Sequence, residues 1–142
     1  MCIMKFLKMQ VVLIACLVVL AGCAVAPRVG LWEAPKRYTK NDVFNAIVLA
    51  GVDHGLHLTI KDKDLGIVSF WFRAGDGEGA LNFQLSEEAG QIVVRTSSAY
   101  GGILAIAGEL ENNIRIIYKS IYEKLNINDV AEKNLQIKIL ND

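Results

Sequence analysis

Apolar and polar residues recur with two different periods between residues 39 and 125, and the switch between the periods predicts the elements. Val43, Phe44, Ile47, Ala50 and Gly51 fall on one side of a helix at three-to-four spacing. Thr39 and Asp42 form a capping pair at its start, the Thr oxygen accepting an early backbone N–H and the Asp complementing the helix dipole, and Gly55 offers a left-handed stop. The period then drops to two. Leu56, Leu58 and Ile60 alternate with His57, Thr59 and Lys61; Val68, Phe70 and Phe72 with Ile67, Ser69 and Trp71; Leu81, Phe83 and Leu85 with Asn82 and Gln84; Ile92, Val94 and Thr96 with Val93 and Arg95. Each alternation marks a half-buried strand. The connections between these strands are short and rich in Gly and Asp, which argues an antiparallel meander.

Residues 97–102 break the pattern, and Ser97 and Ser98 read there as hydroxyl caps of a second helix. Ile103, Ile106, Ala107, Leu110, Ile114, Ile117, Ile121 and Leu125 then recur at spacings of three or four. Such a stripe, about 23 residues long, covers roughly 35 Å at 1.5 Å per residue and must lie across the sheet. Leu135, Ile137 and Ile139 alternate near the C-terminus, which leaves a further strand and a loose tail both open. The predicted fold class is therefore α+β: an antiparallel four- or five-stranded sheet with two helices on one face, in the order α-β-β-β-β-α, with a final β if the tail pairs.

The first 22 residues have a different character. Lys5 and Lys8 precede an uncharged apolar run from Val11 to Leu20, too short to span about 30 Å of hydrocarbon as a permanent helix and suited to the core of a signal peptide. The run ends in Leu20, Ala21, Gly22, Cys23. This segment resembles the lipobox of bacterial lipoproteins, in which small residues admit the peptidase and the Cys thiol is the nucleophile that takes up diacylglycerol. The resemblance implies cleavage between Gly22 and Cys23, a thioether-linked diacylglyceryl group on Cys23, and commonly a third chain, such as palmitate, on the new amino group. Ala24 rather than Asp after the Cys resembles an outer-membrane address. The chain accordingly divides into a signal peptide at 1–22, a lipidated tether at 23–38 and a single domain at 39–142. The tether reading rests on Pro27, Gly30 and Pro35, which interrupt regular structure. Within it, Leu31 and Trp32 have two open placements, folded back onto the domain or at the headgroup level.

Charge narrows the partners. Lys5 and Lys8 are the only charged residues before Cys23, so the mature chain has 13 basic against 15 acidic residues, a net −2. That balance does not suggest nucleic acid, whose non-specific binding draws on clustered Lys and Arg. Hydrophobic content of 53% with two prolines excludes a disordered chain. Cys2 and Cys16 lie in the signal, so Cys23 alone remains and the core must hold the fold without an internal disulfide.

Few residues combine into catalytic or ligand-binding chemistry. Asp53, His54 and His57 cluster in sequence, but Gly55 separates the two His and a closed zinc site needs about four ligands. Asp76 and Glu78 among glycines lack the further spaced oxygen donors of a calcium loop. Gly101 and Gly102 could present backbone amides to an anion at a helix start, without a phosphate-binding fingerprint around them. No cofactor, metal or catalytic residue is assigned. Alternation instead places Ile67, Trp71 and Val93 on the face opposite Phe70, Phe83 and Ile92, amid Ser69, Asn82, Gln84 and Arg95. That composition fits either a protein-contact patch or a second buried layer under the tether or tail. Element order, size and lipobox together resemble small bacterial envelope lipoproteins with α+β domains, including accessory lipoproteins of outer-membrane assembly machinery. The likeness is one of pattern over residues 39–125. The function expected is a non-enzymatic, periplasmic interaction module for an envelope protein complex, held to the membrane by lipid on Cys23. The alternative is a small-ligand or lipid carrier with a pocket between helices and sheet.

Overall fold

The computed structural model describes residues 28–74, 77–101 and 107–139. Six strands and two helices occur in the order β1 (Arg28–Glu33), α1 (Lys40–Asp53), β2 (His57–Asp62), β3 (Ile67–Ala74), β4 (Gly77–Glu88), β5 (Gln91–Gly101), α2 (Ala107–Lys124) and β6 (Gln136–Ile139), with a short 3₁₀ turn at Ala131–Lys133. The strands form one antiparallel sheet in the order β2-β3-β4-β5-β1-β6. The α+β class, the antiparallel pairing and the two helices agree with the expectation. The strand count and order do not: six strands replace four or five, and the series begins with a strand.

The added strand comes from the segment read as tether. Arg28–Glu33 pairs with β5 on one side and β6 on the other, so the chain from Arg28 onward is part of the sheet. Trp32 makes this possible. It is fully buried, its Nε1–H donates to the Glu132 carbonyl at 2.8 Å, and its indole meets Tyr118 and Tyr122 edge-on at 5.7 and 5.3 Å. Of its two open placements, the one folded back onto the domain is the one found.

Local chemistry accounts for the other elements. Thr39 Oγ1 accepts from the Asp42 N–H at 3.2 Å and Asp42 Oδ2 accepts from the Thr39 N–H at 2.8 Å, a complete capping box at the start of α1. A two-residue loop, Ala89 and Gly90 with φ of 51° and 74°, closes the β4–β5 hairpin, both residues in the left-handed region that a type I′ turn requires. β5 runs on through Ser97 and Ser98 to Gly101, so these serines are strand residues rather than helix caps. Of the long helical stripe, Ile114, Ile117, Ile121 and Leu125 are buried, joined by Tyr118 and Tyr122; Ile103 and Ile106 lie outside the described residues.

Both helices cover the face of the sheet that presents Phe70, Phe83, Val94 and Trp32, and these residues with Phe44, Ile47 and the α2 side chains form the core. α1 approaches closely: a Cβ on Gly51 would stand 2.2 Å from the Phe70 ring, so glycine there is a packing requirement. Tyr118 shares a 2.7 Å hydrogen bond with Thr96 in the same interior, and burial pushes its phenol well above the usual range. Among the described residues no helix is long and apolar enough to cross a membrane.

Replacing Trp32 by Ala is expected to lower the unfolding free energy by about 3–5 kcal/mol, the usual cost of truncating a buried aromatic. Urea denaturation of the domain lacking residues 1–22 and carrying Ser at position 23 measures it. A spacer residue would change the midpoint hardly at all.

Candidate functional site

The helices leave the other face of the sheet open among the described residues, and register defines what stands on it. Across the sheet, Trp71 is opposite His57 and Ala80; Ser69 is in line with Ile60, Asn82, Ser97, Val29 and Lys138; Ile67 is in line with Asp62, Gln84, Arg95, Leu31 and Gln136. Ile67 and Trp71 therefore share this face, as alternation predicts, and both are half-buried. The His57 ring lies against the indole at a centroid distance of 5.2 Å and a tilt of 41°.

Val93 shares the face but leaves the patch. It is only 6% exposed, in a row with Ser86 and Glu33. Arg95, one outward position along β5, reaches to the Oγ of Ser86, the residue opposite Val93, at 2.8 Å and pairs with Glu88 at 2.7 Å. The pairing also holds the Glu88 carboxyl below its usual range. Ile60 takes the vacated role through a backbone irregularity. A register shift between Leu58 and Ile60 leaves Thr59 unpaired in the ladder, so Leu58 faces the helix side with Phe70 while Ile60 turns outward beside Ser69. Ile60 is 51% exposed, and the Thr59 hydroxyl donates to the Ser69 carbonyl at 3.0 Å. Simple alternation placed Leu58 and Ile60 together as inward residues, whereas both are exposed at an edge strand.

The site is thus an apolar corner, Ile60, Ile67 and Trp71, beside a shallow groove of about 340 Å³ whose walls are Val29, Ser69, Asn82, Gln84 and Arg95. It adjoins the free edge of β2, where Leu58 is also exposed, as is Leu65 in the turn that follows. Apolar contact area, side-chain amides and an unpaired strand edge are the means by which a surface of this kind captures a polypeptide.

A second concavity lies on the helix side. Leu56, Phe72 and Ile117 with Ile116, which is 39% exposed, line a cleft of about 390 Å³ between the α1–β2 junction, the end of β3 and α2, and His54, His57 and Arg73 stand at its polar side. Between α1 and the sheet the interior is filled by Phe44, Ile47 and Phe70, so the cleft is marginal to the core rather than within it.

Of the residues that cluster in sequence, His54 and His57 both line this cleft while Asp53 is tied elsewhere. Asp53 pairs with Lys124 across to α2, His54 comes just after the end of α1, and His57 packs on Trp71. Among the described residues no group of three or more His, Cys, Asp or Glu is placed to hold a metal ion. Glu78 is exposed in β4 opposite Arg73, and Asp76 and Gly102 lie outside the described residues, as does Cys23. Ser98 Oγ and Arg28 Nε, neighbours across the β1–β5 ladder, are buried without a hydrogen-bond partner among the described residues.

No family model matches the sequence, and no curated protein matches it. Among solved structures, the crystal structure of Ara h 8.0201 superposes with a TM-score of 0.49 at 12% identity, over 72% of this chain and 99% of that one. A likeness at that level assigns this chain neither a family nor a ligand.

Trp71→Ala is expected to cost about 1–2 kcal/mol, well under half the effect at Trp32, because no second layer of described residues covers the indole. Urea midpoints of the two variants compare them directly, and a loss at Trp71 matching that at Trp32 would place the indole in a buried layer instead.

Proposed function

We propose that this chain is a lipoprotein of the bacterial envelope whose domain is a non-enzymatic contact module for a membrane-associated protein. Cys23 carries the lipid after cleavage at Gly22, and the open sheet face presents Ile60, Ile67 and Trp71 to the partner. The observation that carries this reading is the asymmetry of the sheet: two helices and the whole aromatic core lie on one face, while the other keeps a half-buried Trp and two Ile beside an unpaired strand edge. A monomer gains nothing from leaving such side chains uncovered.

The lipid supplies retention. Each buried methylene contributes about 0.8 kcal/mol, so two or three acyl chains hold a protein at a bilayer that one chain holds only reversibly. Confinement in a thin layer then raises the local concentration of the module around its partner, which permits a contact surface of modest affinity. Ala24 supports an outer-membrane address with the domain in the periplasm. The cleft of about 390 Å³ between Leu56, Phe72 and Ile116 favours a second reading, a carrier of a small apolar ligand, since it reaches the lower range of ligand-site volumes.

Two experiments test this function. Cys23→Ser should abolish acyl labelling and leave precursor with residues 1–22 intact; labelling that persists would refute the anchor. A photoreactive amino acid at Trp71 should give one discrete adduct in intact envelopes, and the same group at the exposed Lys119 of α2 should give none. Lipid released on denaturing extraction, with no adduct from position 71, would instead support the carrier.

A further inference from the structure

We infer that the acylated chain stands end-on at the bilayer, with the strand ends around Arg28, Arg73 and Glu78 against the headgroups and the hairpin at Ala89 and Gly90 directed away. The inference rests on the acylation of Cys23 proposed above and adds an orientation to it.

Reach sets the posture. β1 begins at Arg28, five positions after Cys23. A chain spans at most about 3.6 Å per residue, so whatever conformation the intervening residues adopt, the lipid-bearing Cα lies within about 18 Å of the Arg28 Cα. Arg28 pairs with Ser98, while β5 continues to Gly101, opposite Glu78. At about 3.4 Å per residue the sheet therefore projects about 10 Å beyond Arg28, toward the side from which the chain enters. Some 8 Å of reach is left, and the headgroup layer on one side of a bilayer is itself about 5–8 Å thick. The projecting strands meet the headgroups even with the tether drawn straight.

The far end is out of reach in this posture. Glu87 stands nine residues from Glu78 along β4, about 31 Å farther from the anchor. A flat posture on the open face would instead bring Asn82, Gln84, Arg95 and Lys138, all exposed, out of water.

Charge is the weaker effect. The near strand ends carry Arg28, Arg73 and Lys138 against Glu78, and the far ends Glu33, Asp62, Glu87 and Glu88 against Lys61. At about 1 kcal/mol per net basic residue near an anionic surface, this excess of two among the described residues contributes about 2 kcal/mol, less than the covalent restraint of the tether, which sets the posture.

The test uses the acylated mature protein in vesicles of phosphatidylethanolamine and phosphatidylglycerol containing a nitroxide-headgroup lipid. Cys23 is the one native cysteine after residue 22 and its thiol is consumed in the thioether, so a bimane on Glu78→Cys or Glu87→Cys reports one position. Quenching at position 78 should exceed that at 87 at least threefold, persist when salt is raised about fivefold, and fall toward parity when ten Gly/Ser residues are inserted between Ala24 and Val25. Equal or reversed quenching without the insert overturns the end-on posture. A ratio that collapses in salt, or that ignores the insert, overturns the tether as its cause. Mass spectrometry of the same sample keeps the two proposals apart: absence of lipid on Cys23 refutes the anchor, whereas lipid with equal quenching refutes the orientation alone.

Discussion

The fold depends on Trp32 being held between two helical tyrosines and a backbone carbonyl. β1 is a six-residue strand with little apolar surface of its own on the helix side, since its inward positions are Arg28, Gly30 and Trp32. Only the indole can offset the entropy of ordering it, by burying a large ring against Tyr118 and Tyr122 while satisfying its one polar atom on Glu132. Glu132 in turn holds Arg37 by a bidentate pair, and Tyr38 donates to the Leu125 carbonyl at the end of α2. Without β1, β6 would lose the strand it pairs with and β5 would become an edge. One side chain thereby ties the start of the domain to its end.

The same dependence divides the legible elements from the hidden ones. Strands β3, β4 and the first part of β5 show clean alternation because each has one face against a helix, and their inward residues were identifiable one by one. The cap at Thr39 and the α2 stripe were legible for equally local reasons. β1 was not, because Arg28 and Gly30 occupy two of its three inward positions, so the period-two signal that marks a strand is missing, and the flanking prolines read as spacer. β6 left two possibilities open because its pairing depends on β1. The continuation of β5 was hidden by Ser97 and Ser98, polar residues that a strand inside a sheet can hold.

The open face was legible at Ile67 and Trp71 and illegible at its margins. Which face a residue occupies can be read from alternation, but whether neighbours cover it cannot: Val93 is buried on the open face while Arg95 beside it reaches across to Ser86 and Glu88, and both are tertiary outcomes. Ile60 is the converse. A one-residue slip in the pairing of β2 moves a side chain from one face to the other, and no periodicity can report a slip it does not contain. The signal that could have raised the question is Thr59, whose hydroxyl takes up the Ser69 carbonyl at the irregularity.

Reach and surface constrain one another. Trp71 stands opposite Ala80 and, through it, Ala99, one residue beyond Ser98, so its row lies at the level of Arg28 rather than at the distal hairpin. On the acylation and end-on posture inferred above, a tether of at most about 18 Å would keep that row close to the bilayer. The free edge of β2 begins at the same level, at His57. In that posture a partner engaging Ile60, Ile67 and Trp71 would present its own surface near the headgroups, as a membrane-embedded protein or one of its short loops can. On the proposed function, the short spacer would then select the class of partner as much as the face does, and lengthening it would relax that selection without altering a residue of the face.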